Sequence, residues 1–322
     1  MREGRFISKY KDRWNQYQAE PTDDPDVLAR RFAYLVDDLA FARTFYKDSN
    51  TTRYINGMAA DIYLSIYRNR KEKGNRFVTF WTTELPLILF RHRKALWFSF
   101  GLFLAFFLLG MASSAVEPDF ARAILGNAYV DMTLENIEKG DPFGVYKSGD
   151  SFTMFLLIAW NNIRVSLLLF GMGISYGVGT FYFLFRNALM VGVFEYLFYR
   201  NHLGGDFFLV VFIHGTLELS ALVIAGASGF MIARALIFPG TYTRLAALRR
   251  SSLDAVKVSL SQVPVLLIAA FFESYVTRHT EMPVWLSIII LLLSLLLVAG
   301  YFLYYPYRVF QKTQSRLLEQ AA

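Results

Sequence analysis

ALWFSFGLFLAFFLLGMAS, Ala95 to Ser113, runs for nineteen residues without a charge, and Arg91-His92-Arg93-Lys94 stand directly before it. A helix crosses a bilayer with about 20 apolar residues, so this stretch predicts a membrane span. Basic flanks stay on the cytoplasmic side, so the span is expected to start there. Five further stretches are long enough. Two share Phe152–Tyr199, divided near Gly171-Met172-Gly173 or Gly177-Val178-Gly179; the others are Phe207–Phe238, Val256–Phe272 and Val284–Tyr304. Phe207–Phe238 has room for a re-entrant start or a strong tilt. The fold class expected is all-α, a polytopic membrane bundle of about six spans.

Composition agrees with this. The 322 residues are 55% hydrophobic, 17% aromatic and 18% charged, against about 25% charged in soluble domains. Mean hydropathy is only +0.33, which points to two unlike regions averaged together. So much apolar content excludes disorder. No cysteine is present, which excludes disulfides, thiolate metal sites and a cysteine nucleophile. A net charge of +7 in a membrane chain reads as basic cytoplasmic segments.

Residues 1–94 hold 18 Lys/Arg and 12 Asp/Glu and read as a cytoplasmic helical domain. MREGRFISKYKDRW has no apolar signal region. Leu28, Phe32, Leu35, Val36 and Leu39 recur at helical spacing, as do Ile55, Met58, Ile62 and Ile66. Asp26 or Asp48 is the expected cap. The aromatic-rich Phe77–Phe90 is expected to pack onto the membrane. The basic run Arg68–Arg76 suits anionic headgroups or an ordinary solvated helix end. No nucleic-acid motif accompanies it, so no nucleic-acid partner is expected.

Residues 95–310 then form the transmembrane domain. Its loop 114–151 carries seven acids and three bases, including Lys147, and is assigned to the outer side. Arg244, Arg249 and Arg250 mark a cytoplasmic connection, and residues 311–322 form a cytoplasmic tail with Arg316. Both termini then lie on the cytoplasmic side of the membrane.

Ionisable groups at membrane depth cost roughly 2.5–3.5 kcal/mol each on insertion scales, so those present need partners. The second span holds Asn161, Asn162 and Arg164, the third Arg186, Asn187 and Glu195, the fourth His214 and Glu218. His214 and Glu218, four apart, share a helix face. They suit a proton relay or interhelical hydrogen bonds that fix register. Metal binding is the weaker reading, because zinc takes three or four protein ligands and His92, His202 and His279 lie near span ends. Arg164 or Arg186 is expected to neutralise Glu195 or Glu218, with an anion or headgroup pocket at Asn161 and Arg164 as the alternative. Gly171, Gly173 and Gly177, with Ala221, Ala225 and Gly229, are expected to let helices approach closely, within the chain or in a homo-oligomer.

His214-Gly215-Thr216-Leu217-Glu218, followed by Ala221 and Ala225-Gly226-Ala227-Ser228-Gly229, resembles the central motif of the stage II sporulation protein M family. Asn161-Asn162, Gly171, Gly173, Gly177, Asn187 and Gly192 fit the same pattern in order. Phe6, Trp14, Asp38-Leu39-Ala40 and Tyr54-Ile55-Asn56 are similar to the longer, non-sporulation members. The resemblance implies an integral membrane protein with no catalytic activity, and no catalytic, cofactor-binding or metal-ligating residues. It further implies membrane lipids and cell-envelope proteins as partners, such as peptidoglycan-modifying enzymes or a MoxR-type ATPase system. The leading expectation is a scaffold that positions such partners. The alternatives are a transporter or channel with a polar path around His214 and Glu218, and an intramembrane hydrolase using that pair.

Overall fold

The computed structural model describes residues 1–22, 24–67, 75–144, 150–277 and 282–321. Regular structure among them is helical throughout. The chain forms two compact units, Met1–Arg76 and Phe77–Ala322. Arg68 to Lys73, Lys147 and His279 lie outside the described residues.

The first unit is three helices, α1 (Glu3–Ala19), α2 (Pro25–Phe45) and α3 (Asn50–Tyr67). Proline suits a first helical position because its missing N–H would be unpaired there. The cap of α2 is therefore Asp24, not Asp26; its Oδ1 accepts from the Asp26 and Val27 amides at 2.9 and 3.5 Å. Asp48 does not cap α3. It takes a left-handed turn, φ 64°, while Ser49 Oγ accepts from the Thr52 amide at 3.2 Å. Phe6 centres the core, its ring stacked on Phe41 with centroids 5.1 Å apart. Beneath it Trp14 donates to Asp38 at 2.8 Å, and Arg13 donates to both oxygens of the same carboxylate.

One helical turn (Arg76–Thr79) leads into the second unit, followed by a π-helical turn (Phe80–Glu84). Then come α4 (Leu85–Arg91), α5 (Arg93–Val116), α6 (Phe120–Leu125), α7 (Asn127–Glu138), α8 (Ser151–Gly171) and α9 (Val178–Arg200). The rest are α10 (Gly204–Ile237), α11 (Arg244–Ser261), α12 (Val263–Phe271), α13 (Val284–Leu297) and α14 (Tyr305–Ala321). Six helices are long and apolar enough to span: Arg93–Val116, Ser151–Ser175, Val178–Arg200, Gly204–Ile237, Arg244–Val276 and Val284–Glu319. In no span does the chain itself cover more than 50% of the most apolar window. Trp97, Leu108, Leu293 and Leu296 stay exposed, and apolar surface on this scale fits a lipid surround. The chain is a multi-pass membrane protein.

Several boundaries differ from the sequence reading. Residues 77–94 belong with the membrane unit rather than with the N-terminal helices. Tyr301 and Tyr305 donate to the Trp81 and Thr82 carbonyls at 2.7 and 3.0 Å, Lys257 pairs with Glu84, and Phe90 stacks on Phe310 at 4.1 Å. The fourth span is one unbroken helix with no re-entrant start. The fifth begins at Arg244 and breaks at Gln262, just before Pro264. The last span continues through a π-helical stretch, Val298–Tyr304, so the expected tail is the end of a helix. The acidic connection contains α6 and α7, whose Ala121 and Val130 pack on Val193 and Leu197.

α10 is the axis, touching α5, α8, α9, α11, α12 and α13. Around it the backbones nearly touch. A Cβ at Gly110 would strike the Leu189 carbonyl, and one at Gly192 the Phe107 carbonyl, so α5 and α9 notch each other reciprocally. Gly173 meets the Gly229 carbonyl in the same way, and Gly229 meets the Leu169 carbonyl. Ala221 and Ala225 are fully buried, so this small-residue face is consumed inside the chain. Gly171 takes no part, since a Cβ there would meet nothing within 4 Å. Gly177 instead closes the turn between α8 and α9 at φ 86°, after left-handed Tyr176.

Two outcomes follow from these contacts. Asp38→Ala leaves the buried Trp14 indole N–H and a half-buried Arg13 guanidinium without their acceptor, and an unsatisfied buried donor costs about 1–3 kcal/mol. Hydrogen exchange should show α1–α3 losing protection while the spans keep theirs. Gly192→Ala forces a methyl against a backbone carbonyl that cannot move aside. It should cost about 1–3 kcal/mol and lower the thermal midpoint in detergent, whereas Gly171→Ala should leave it unchanged.

Candidate functional site

α10 places His214 and Glu218 one turn apart on the same face. His214 is buried. The fifth span ends on a π-helical turn, Phe272–Val276, a widened turn often found at functional sites. It delivers Glu273 to the pair. A ring nitrogen of His214 and a carboxylate oxygen each of Glu218 and Glu273 lie within 4.8 Å of one another. From α8, Asn162 Nδ2 donates to Glu218 Oε1 at 2.5 Å. Three spans thus converge on one point.

A hydrogen bond orients the imidazole. Thr277 Oγ1 lies 3.0 Å from His214 Nδ1 and 3.2 Å from the Phe272 carbonyl, to which it donates. A hydroxyl has one proton to give, so with that proton on the carbonyl the Thr277 oxygen would accept from Nδ1–H. The lone pair of the ring would then be on Nε2. A carboxylate oxygen of Glu218 and one of Glu273 lie within 4.8 Å of each other. Two carboxylates that close in an apolar bundle cannot both ionise cheaply, so the pair suits a shared proton or cation.

Polar groups continue on both sides. A cavity of about 90 Å³ is lined by Asp206, Ile213, Thr277, Met282 and Ser287. Another, of about 140 Å³, is lined by Asn161, Asn162, Ser166, Asn187 and Glu218. Ser166 then accepts from Gln262. Gln262 is fully buried, and its Oε1, like Ser259 Oγ, has no protein partner. Buried polar atoms left in this state are where internal water binds. The trail therefore runs from Asp206, at the start of α10, to Gln262 and Ser259, at the junction of α11 and α12.

The other sequence candidates divide. Asn161 and Asn187 line the second cavity, and Gly215 is buried beside His214. Arg164 and Arg186 point outward and are exposed. Neither forms the expected ion pair with Glu195 or Glu218 among the described residues, because Glu218 is taken by Asn162 and Glu273. Glu195 is half-buried, with Oε2 unpartnered. His92 sits at the start of the first span, 3.1 Å from Asp254. From the acidic connection, Tyr129 of α7 reaches the neighbourhood of Glu273. Burial pushes its phenol above the ordinary value, and the Glu273 carboxyl adds to the shift.

Sequence reading missed Glu273, Thr277, Ser166 and Gln262. Glu273 follows directly on an apolar run and reads as a flanking charge. A serine one turn after Asn162 was the available signal for the lower part of the trail.

A family model described as stage II sporulation protein M matches residues 99–278, more than half of the chain. A second, described as a domain of unknown function (DUF8413), matches residues 4–68. An uncharacterized protein of Methanocaldococcus jannaschii is 30% identical over 125 residues, covering 38% of this chain and 70% of the relative. No solved structure matches.

Proposed function

The chain belongs to the stage II sporulation protein M family, and we propose that its membrane unit carries protons across the bilayer along the polar trail in its core. The single observation behind this reading is the carboxyl pair Glu218–Glu273, with an oxygen of each within 4.8 Å of the other and of a His214 ring nitrogen, and Asn162 donating to Glu218. Buried ionisable groups that line a path through a bundle mark proton and ion routes. The family match extends one residue beyond Thr277, so it takes in Asn162, His214, Glu218, Glu273 and Thr277. Protons would enter beside Asp206, pass the imidazole and the carboxyl pair, and leave through water near Gln262. In this reading the basic ends at Arg91–Lys94 and Arg244–Arg250 face the cytoplasm of a bacterial inner membrane, and no bond of a substrate is broken.

A scaffold role is the second reading, and one observation favours it. The first unit has its own aromatic core and matches a domain model separate from that of the spans, as a docking module for cell-envelope partners would. The two readings are compatible, and they predict different sensitivities.

In proteoliposomes with an imposed pH gradient, wild type should collapse the gradient, monitored by an internal pH dye. Glu218→Gln and Glu273→Gln should each slow this at least about tenfold, since general acid–base groups typically contribute 10²–10⁴ to proton transfer. Equal rates in wild type and both variants would sink the proton reading. Partner capture from native membranes should be unaffected by these variants and lost when residues 1–76 are removed.

A further inference from the structure

We infer that His214, Glu218 and Glu273 bind a first-row divalent metal ion, of the zinc or manganese type. The inference deepens the proposed function, because it rests on reading the same cluster as a cation site and names a second cation for it. Three observations carry it.

The first is donor geometry. One imidazole nitrogen and two carboxylate oxygens from two spans already lie within 4.8 Å of one another, close enough for small side-chain shifts to bring all three to the 2.0–2.2 Å that zinc takes. Protein ligands numbering three, with further positions left to water, are the pattern of sites that exchange or act rather than only brace a fold.

The second is the surrounding shell. Metal-bound histidines usually give their other N–H to a fixed acceptor, and ligating carboxylates are themselves hydrogen-bonded. Thr277, held by its own bond to Phe272, is placed to do the first, and that tautomer would put the ring lone pair on Nε2. Asn162 does the second for Glu218.

The third is charge. Two ionised carboxylates in an apolar bundle need a counter-charge, and among the described residues no Lys or Arg forms an ion pair with them, Arg164 and Arg186 being exposed. A dication balances them. An imidazole donor favours zinc over magnesium and calcium, which prefer all-oxygen shells, and the two carboxylates also suit manganese. Access is through the cavity that Asp206, Thr277 and Ser287 line.

The test is metal titration of the chelator-treated, full-length protein in nanodiscs, using Zn²⁺ and Mn²⁺ with Mg²⁺ as competitor. Wild type should bind one equivalent that Mg²⁺ does not displace. Thr277→Val should weaken binding by about 10–100-fold, as loss of an orienting partner does, and the Glu218→Gln/Glu273→Gln double variant should abolish it. Equal binding by wild type and a folded double variant would overturn the site. Should the variants not fold, X-ray absorption of zinc-loaded wild type decides: a nitrogen and oxygen shell with one imidazole supports it, and a shell without imidazole overturns it. Gradient collapse that depends on Glu218 without any metal binding removes the metal and keeps the proton path. Metal binding without gradient collapse does the reverse.

Discussion

Two carboxyl groups facing each other inside an apolar bundle are the constraint on which the rest of this membrane unit depends. Taking a charge out of water costs several kcal/mol after relaxation, and Glu218 and Glu273 are spared that cost only while a proton or a cation stands between them. The two carboxyl groups come from different spans, and Asn162, from a third, donates to Glu218. Such a contact survives only if three backbones hold their positions to within about half an ångström.

The glycines supply that rigidity. In lipid there is little hydrophobic drive to press helices together, so close packing and interhelical hydrogen bonds do the work. Gly110 and Gly192 bring α5 and α9 into backbone contact, and Gly173 and Gly229 do the same for the turn after α8 against α10. Ser99 adds a hydrogen bond to the Val223 carbonyl across the interface, at 2.7 Å. The polar cluster and the small-residue faces are therefore one construction. The first fixes charge, and the second fixes the distances on which charge depends.

The six spans could be read from the sequence because length and lack of charge are one-dimensional properties. So could His214 with Glu218, because helical spacing alone brings them together. The Trp14 and Asp38 motifs stood out as marks in the chain, and their shared hydrogen bond needed the third dimension. Glu273 was hidden twice: it sits where a span appears to end, and a π-helical turn changes its direction. The expected neutralisation of Glu218 by an arginine failed for a related reason. Periodicity says which residues share a face and not which neighbour that face meets. The same gap put the domain boundary at residue 94, since nothing local tells that Trp81 and Thr82 meet tyrosines more than two hundred residues away.

The fourth span has a mechanical consequence. Gly204–Ile237 runs for 34 residues without proline or break, whereas the fifth and sixth spans are interrupted by a proline or a π-helical stretch. At 1.5 Å per residue it is about 51 Å long, well beyond a hydrocarbon core of about 30 Å. A rod with no joint cannot bend to accommodate a change at His214. It tilts or slides as a whole, and its last turns, about 35 Å from the imidazole by the same helical rise, move with it. Any displacement imposed at the buried cluster would thereby be carried along the helix to the far end of the bundle, as a push on one end of a rigid rod reaches the other.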